Sequence, residues 1–149
     1  MANPFDPRTV LLAKHAQHVV LIHFPIALFV SGVVFDFIAC WTRQRGMAEV
    51  AYYNVSAAAL SMPLALATGI LAWQFQLEGQ KLKGILLLHL VLACISTAMM
   101  GMVWWVHSRA RRQTHVLPSF RLAIESVGVI IIGLTGHLGG FLSGVNGLG

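Results

Sequence analysis

Charged side chains are scarce in this sequence. Lysine and arginine together number 10, aspartate and glutamate number five, and charged residues make up 10% of the 149 residues. A soluble domain carries about 25% charged residues, so this chain lacks the polar groups needed to cover a globular surface. The shortage excludes a soluble enzyme, a disordered tail and a coiled coil.

Cysteine is scarce as well. Cys40 and Cys94 lie in apolar runs, and neither belongs to a CxxC or CxxCH pattern. This excludes zinc ribbons, thiol redox motifs and covalently attached c-type haem. A nucleotide-binding loop, an HExxH motif and a GxSxG motif are also lacking, so the sequence offers no hydrolytic site.

Apolar residues make up 57% of the chain, and its mean hydropathy is +0.75. They form four runs, each close to the roughly 20 residues that cross the hydrocarbon of a bilayer. The sequence therefore predicts an all-α integral membrane protein, a single four-helix transmembrane domain over 1–149. The predicted spans are about 19–41, 50–75, 84–107 and 120–145.

Basic residues predict the orientation, because they gather in cytoplasmic loops. Loops one and three carry more of them than the N-terminal segment and loop two, so we predict that both termini lie on the outer side. The net charge of +5 favours contact with anionic lipid, not nucleic acid. The basic residues of loops one and three are Arg43, Arg45, Arg109, Arg111, Arg112 and Arg121, against Arg8, Lys14, Lys81 and Lys83 elsewhere.

Three histidines share one depth in this arrangement. At 1.5 Å per residue, His23, His89 and His137 lie roughly 7–13 Å below the outer boundary of the membrane. Ionisable groups inside a membrane are costly and are therefore candidates for function. The alternative is that each histidine only hydrogen-bonds a neighbouring helix, which is worth about 0.6 kcal/mol on average.

Haem b fits such a layer, because its iron takes two axial ligands from opposite sides and imidazole is a common one. Spans one and three are diagonal in an up-down bundle, roughly 11–14 Å apart when neighbours are 8–10 Å apart. Two imidazoles and an iron fill about that distance. We predict His23 and His89 as the axial ligands, with His137 as a substitute ligand, a ligand of a second haem, or a partner of a propionate.

Glycines repeat along the last span beside His137, at Gly136, Gly140 and Gly144. Such a stripe favours close helix packing of the GxxxG type. It also offers a groove in which a flat macrocycle could lie against bare backbone. The two interpretations are compatible.

A second polar layer is predicted near the cytoplasmic end, and it comprises Asp36, His107 and Glu125. Arg43 and Arg121 lie within reach of the carboxylates. Anchoring by ion pairs is the favoured interpretation, and a proton path or a pocket for a quinone head is the alternative. We expect His107 at the membrane interface itself.

Two motifs carry a resemblance to a known family. The run HVVLIHFPIAL at 18–28 resembles the first motif, roughly H-P-x-x-V-H-F-P-I-A, of the small bacterial membrane proteins catalogued as domain of unknown function 2231. The run TGHLGGFL at 135–142 is similar to that family's final T-G-x-x-G-G-x-L. Val19 stands where the family commonly has proline. The matching residues are His18, His23, Gly136, Gly139 and Gly140.

The resemblance implies a four-helix module of the bacterial inner membrane, in a family whose members are sometimes fused to or encoded near c-type cytochrome domains. We therefore predict a haem b electron-transfer protein or cytochrome-like subunit, not a stand-alone enzyme, with His18 added to the candidate cofactor residues. Its expected partners are lipid and a c-type cytochrome or other redox subunit. One alternative is a non-catalytic subunit of a respiratory or photosynthetic complex. The other is a small transporter or metal site built from the three histidines.

Overall fold

The computed structural model of the chain describes residues 14–76, 78–113 and 118–143. These residues form four helices and no strand, and each helix is long and apolar enough to cross a membrane. The predicted all-helical, multi-pass membrane architecture is confirmed. The side on which the termini lie stays a prediction, and residues 144–145 of the fourth predicted span lie outside the described residues. The helices are α1 (Lys14–Thr42), α2 (Arg45–Gln76), α3 (Gly84–Gln113) and α4 (Arg121–Leu142).

The helices form an up-down bundle in which each contacts its two neighbours. Helix α1 packs most extensively against α2, α3 packs against α4, and the α1–α4 contact is the smallest of the four. Helices α1 and α3 are therefore diagonal, as the sequence predicts. We call the end where α1 and α3 finish and α2 and α4 begin the basic end.

The close contact between α1 and α2 depends on small side chains. Four alanines of α2 recur every seven residues and are all buried, which brings them onto one stripe of the helix. On the facing helix, a Cβ added at Gly32 would lie 2.8 Å from Val55 Cγ2. Small residues allow helix backbones to approach in membranes, where packing drives association. The four alanines are Ala51, Ala58, Ala65 and Ala72.

An apolar core fills the middle of the bundle between all four helices. Phe29 is fully buried at its centre, and a Cβ added at Gly128 of α4 would lie 3.2 Å from its ring. Outside the core, large apolar side chains face outward, such as Trp41 at 90% exposure. An apolar outer surface of this kind is in contact with lipid. The other residues of the core are Val33, Val55, Ala58, Met100, Val103 and Ile132.

Candidate functional site

Four ionisable side chains meet inside the bundle near the basic end, and we call them the acid–histidine cluster: Asp36, His107, Arg121 and Glu125. Asp36 and Glu125 are fully buried, and His107 is 3% exposed. The Arg121 side chain is 11% exposed. Three helices contribute, since Asp36 is on α1, His107 is on α3, and Arg121 and Glu125 are on α4.

Helical periodicity explains why these polar groups point inward. Residues three, four and seven apart share one face of a helix, and three of the four cluster residues continue the buried apolar face of their own helix. A charged group on that face is held inside the bundle by the apolar residues above and below it. The three series are Phe29, Val33 and Asp36; Met100, Val103 and His107; and Glu125, Gly128 and Ile132.

The cluster is joined by two strong contacts. Arg121 donates from Nε to Asp36 Oδ2 at 2.6 Å and from Nη2 to Asp36 Oδ1 at 3.3 Å. His107 Nε2 donates to Glu125 Oε1 at 2.7 Å and lies 4.0 Å from Asp36 Oδ2. Arg121 also donates from Nη1 to the Pro118 carbonyl at 3.3 Å, which ties the cluster to the start of α4.

One carboxylate oxygen in the cluster is unsatisfied. Glu125 Oε2 is buried and has no hydrogen-bond partner among the described residues. Buried polar atoms are nearly always paired, so an orphaned one suggests a bound water or ion. Two-point pairing with Arg121 balances the charge of Asp36, whereas Glu125 has only the bond from His107.

The geometry of the cluster is that of a potential metal site. Asp36, His107 and Glu125 each offer one ligand atom, and these atoms lie within 4.8 Å of one another. Within the described ranges, no other group of three histidine, cysteine or acidic residues does so. The sequence predicted these residues in one layer and favoured anchoring by ion pairs, and Asp36 and Arg121 form such a pair. It also predicted His107 at the membrane interface, whereas the structure buries His107 inside the bundle.

A groove between the start of α2 and the end of α3 leads to the cluster, and we call it the arginine groove. His107 belongs to its lining. The Arg111 guanidinium lies over the Tyr52 ring at 4.7 Å and over Tyr53 at 5.6 Å. The groove therefore borders the acid–histidine cluster at His107, which is 3% exposed. Its lining residues are Arg45, Ala48, Glu49, Tyr52, His107, Ala110 and Arg111.

The structure does not bring the predicted haem ligands together. His23 is exposed, and its Nδ1 donates to the Val19 carbonyl of its own helix at 2.5 Å. His89 is half-buried in the α3–α4 interface, where its Nδ1 donates to the Thr135 carbonyl at 3.0 Å. At 100° per residue, His23 lies about 200° around α1 from buried Pro25, so it points away from α3.

The remaining predicted histidines lie at the same end but in separate places. His137 is exposed on α4, with its ring against Phe141 at 5.0 Å between centroids. His18 is half-buried between α1 and α2, hydrogen-bonded through Nδ1 to Thr68 Oγ1 at 3.1 Å. Binding of haem by any of these residues stays a prediction.

The glycine stripe is only partly where the sequence placed it. A Cβ added at Gly136 would meet nothing within 4 Å, so the prediction of close helix packing at Gly136 is wrong. Gly139 instead makes the close contact at this end of α4, because a Cβ there would lie 3.2 Å from the His89 ring. Gly140 is half-buried, and Gly144 lies outside the described residues.

Comparison with known proteins identifies the family of this chain. The family model described as "Predicted membrane protein (DUF2231)" matches residues 14–149. The chain belongs to the DUF2231 family. Comparison with curated proteins and with solved structures finds no match. The DUF2231 description gives membrane location and no activity, so function has to be argued from the acid–histidine cluster.

Proposed function

We propose that this chain is a membrane protein that binds one divalent transition-metal ion through Asp36, His107 and Glu125. The observation that carries the proposal is the buried, unpartnered Glu125 Oε2 beside three converging ligand atoms. A carboxylate oxygen without a partner is costly inside a bilayer protein, and a metal ion would satisfy it.

The ligand spacing suits a small ion. Tetrahedral ligands at about 2.0–2.2 Å from zinc lie roughly 3.3–3.6 Å from one another. His107 Nε2 is 2.7 Å from Glu125 Oε1 and 4.0 Å from Asp36 Oδ2, so the two separations bracket that value. Metal binding would replace the hydrogen bond between His107 Nε2 and Glu125 Oε1 and release its proton to solvent. Side-chain shifts of less than about 1 Å would then complete the arrangement.

The donor set indicates the class of metal. One imidazole and two carboxylates suit Zn²⁺, Fe²⁺ or Mn²⁺ better than Cu⁺, which prefers sulfur. Mg²⁺ favours an octahedron of oxygen atoms and retains its waters. Because Arg121 shares Asp36, Glu125 and His107 are the primary ligands, and Asp36 is the third. Three protein ligands leave a position for an exchangeable water.

The surroundings of the acid–histidine cluster favour a bound metal ion over a channel that conducts ions. The arginine groove reaches His107 from the basic end. Toward the other end, the apolar core closes the bundle, and Met100 follows only two turns away on α3, about 10 Å from His107. We therefore propose that the metal enters and leaves on one side, as expected of a metal-binding or metal-sensing membrane protein.

Titration of Zn²⁺ into the purified protein in detergent tests this function. The wild type should bind one Zn²⁺. Glu125→Gln and His107→Gln should weaken binding by more than about 10–100-fold, the loss caused by outer-shell changes alone. His137→Gln is the matched control, since it removes an exposed histidine. Unchanged affinity in Glu125→Gln, or equal loss in His137→Gln, would contradict the proposal.

Haem b electron transfer is the second candidate, and the position of His89 favours it. Metal-binding histidines usually donate their other ring N–H to a carboxylate or a backbone carbonyl, as His89 Nδ1 does to Thr135. Because His23 points outward from α1, the structure argues against His23 and His89 as the pair of axial ligands. Absorption spectra of protein produced with ample haem, before and after dithionite, decide between the candidates. A Soret band in the wild type that is lost in His89→Ala would establish haem binding. A wild-type protein without a Soret band would contradict the haem proposal.

A further inference from the structure

We propose that the arginine groove binds the phosphodiester headgroup of an anionic phospholipid. The groove lies between the first two turns of α2 and the last two turns of α3. Both are ends of candidate membrane spans, which places the groove at the height of lipid headgroups. This inference depends on Arg45 and Arg111 and not on the metal ligands, although His107 also belongs to the lining of the groove.

Arg111 is positioned by contact with two aromatic rings. Its guanidinium stacks over Tyr52 and Tyr53 at 4.7 and 5.6 Å. A guanidinium that contacts an aromatic face can still donate from its N–H groups to two oxygens of one phosphate. Stacking also reduces the side-chain freedom that would otherwise be lost on binding.

The charge of the groove matches one phosphodiester. Arg45 and Arg111 contribute two positive charges to the lining and Glu49 one negative charge, which leaves one positive charge for one lipid phosphate. The first turn of α2 contains no acidic residue, so the positive end of the helix dipole is not neutralised there. Backbone N–H groups at a helix N-terminus add further donors for an anion.

A lipid is favoured over a soluble anion by what lies next to the groove. Val50 and Tyr53 are exposed on α2 beside it, at 40% and 61%. These side chains give acyl chains an apolar surface below the headgroup. Basic pockets between transmembrane helices are a general mode of recognition for anionic headgroups.

Native mass spectrometry of protein taken from phosphatidylcholine vesicles containing phosphatidylglycerol tests the inference. The wild type should retain phosphatidylglycerol. Arg45→Gln and Arg111→Gln should each reduce retention by more than about fivefold, which is the loss expected from removing any one basic residue at a membrane surface. Arg109→Gln is the charge-matched control, because Arg109 lies on the same helix but stacks over Trp105 at 5.5 Å, outside the groove.

Two outcomes would overturn the inference. Equal retention in Arg111→Gln and Arg109→Gln would mean that general surface charge, not the groove, holds the lipid. Displacement of phosphatidylglycerol by inorganic phosphate at matched concentration would mean that the groove recognises a soluble anion. Titration of Zn²⁺ into protein without phosphatidylglycerol is a separate readout, because Zn²⁺ binding depends on Glu125 and His107.

Discussion

The buried ion pair between Asp36 and Arg121 gives a prediction for stability that can be worked out from the structure. Its two contacts, of 2.6 and 3.3 Å, hold the guanidinium against a carboxylate that is fully buried. Arg121→Leu leaves Asp36 charged and unpaired beside Glu125. The double variant Asp36→Leu/Arg121→Leu removes both charges and fills the space with apolar atoms.

The expected magnitudes follow from the cost of an uncompensated buried charge. Removing one partner of a buried pair costs about 3–5 kcal/mol, whereas replacing both with apolar residues is neutral or stabilises by up to about 1–4 kcal/mol. Arg121→Leu should therefore lower the folded-to-unfolded ratio by about a hundredfold to a few thousandfold. The double variant should recover most or all of that loss.

Unfolding equilibria in mixed micelles measure these free energies, with Arg112→Leu as the control. Arg112 is an exposed arginine at the end of α3, and its loss should change the free energy of unfolding by less than about 1 kcal/mol. If Arg121→Leu is as mild as this control, the pair is not buried in the folded protein. If the double variant is as unstable as the single one, the electrostatic reasoning fails.

Two further predictions concern topology and packing. In intact cells, a membrane-impermeant thiol reagent should label Glu78→Cys but not Arg112→Cys, each made in a cysteine-free background, because the basic end is predicted to be cytoplasmic. The reverse labelling pattern would show that the protein has the opposite orientation in the membrane. Gly32→Leu should destabilise the bundle by at least about 1–3 kcal/mol, because a Cβ there already meets Val55 at 2.8 Å. Gly136→Leu should have little effect on stability, and equal effects of the two substitutions would refute the packing described for α1 and α2.

The number of helices and their up-down order were predictable from the sequence, because the length of an apolar run and the charge of its ends are local properties. The position of His23, His89 and His137 toward one end of the bundle was predictable for the same reason. The contacts of each histidine depend on its direction around the helix, which its position along the chain alone does not give. His23 has the depth of His89 but lies on the lipid-facing side of α1, whereas His89 lies on the same face of α3 as buried Ser96.

For the acid–histidine cluster, the spacing of residues around each helix predicts which side chains point into the bundle. Asp36 continues the series of Phe29 and Val33, and Glu125 continues that of Ile132. These spacings were visible in the sequence and would have placed both carboxylates inside the bundle. The sequence predicted that Arg121 could pair with a carboxylate. Which carboxylate it pairs with, and the bond of His107 to Glu125, were not predictable, since they depend on the rotation of three helices against one another.

The seven-residue repeat of alanines in α2 is a second signal that the sequence contained. It marks the helix face that packs most closely. The glycine repeat of α4 predicted close packing at Gly136 instead, where a side chain would meet open space. Small residues report close packing only when their spacing matches the face that a neighbouring helix covers.

The central claim, a metal ion held by Asp36, His107 and Glu125, is tested most directly by X-ray absorption spectroscopy of the Zn²⁺-loaded protein. The account predicts a first shell of one imidazole nitrogen and oxygen ligands at about 2.0–2.2 Å, with the imidazole contribution lost in His107→Gln and kept in His137→Gln. A shell of water oxygens alone, or an imidazole signal that persists in His107→Gln, would contradict it.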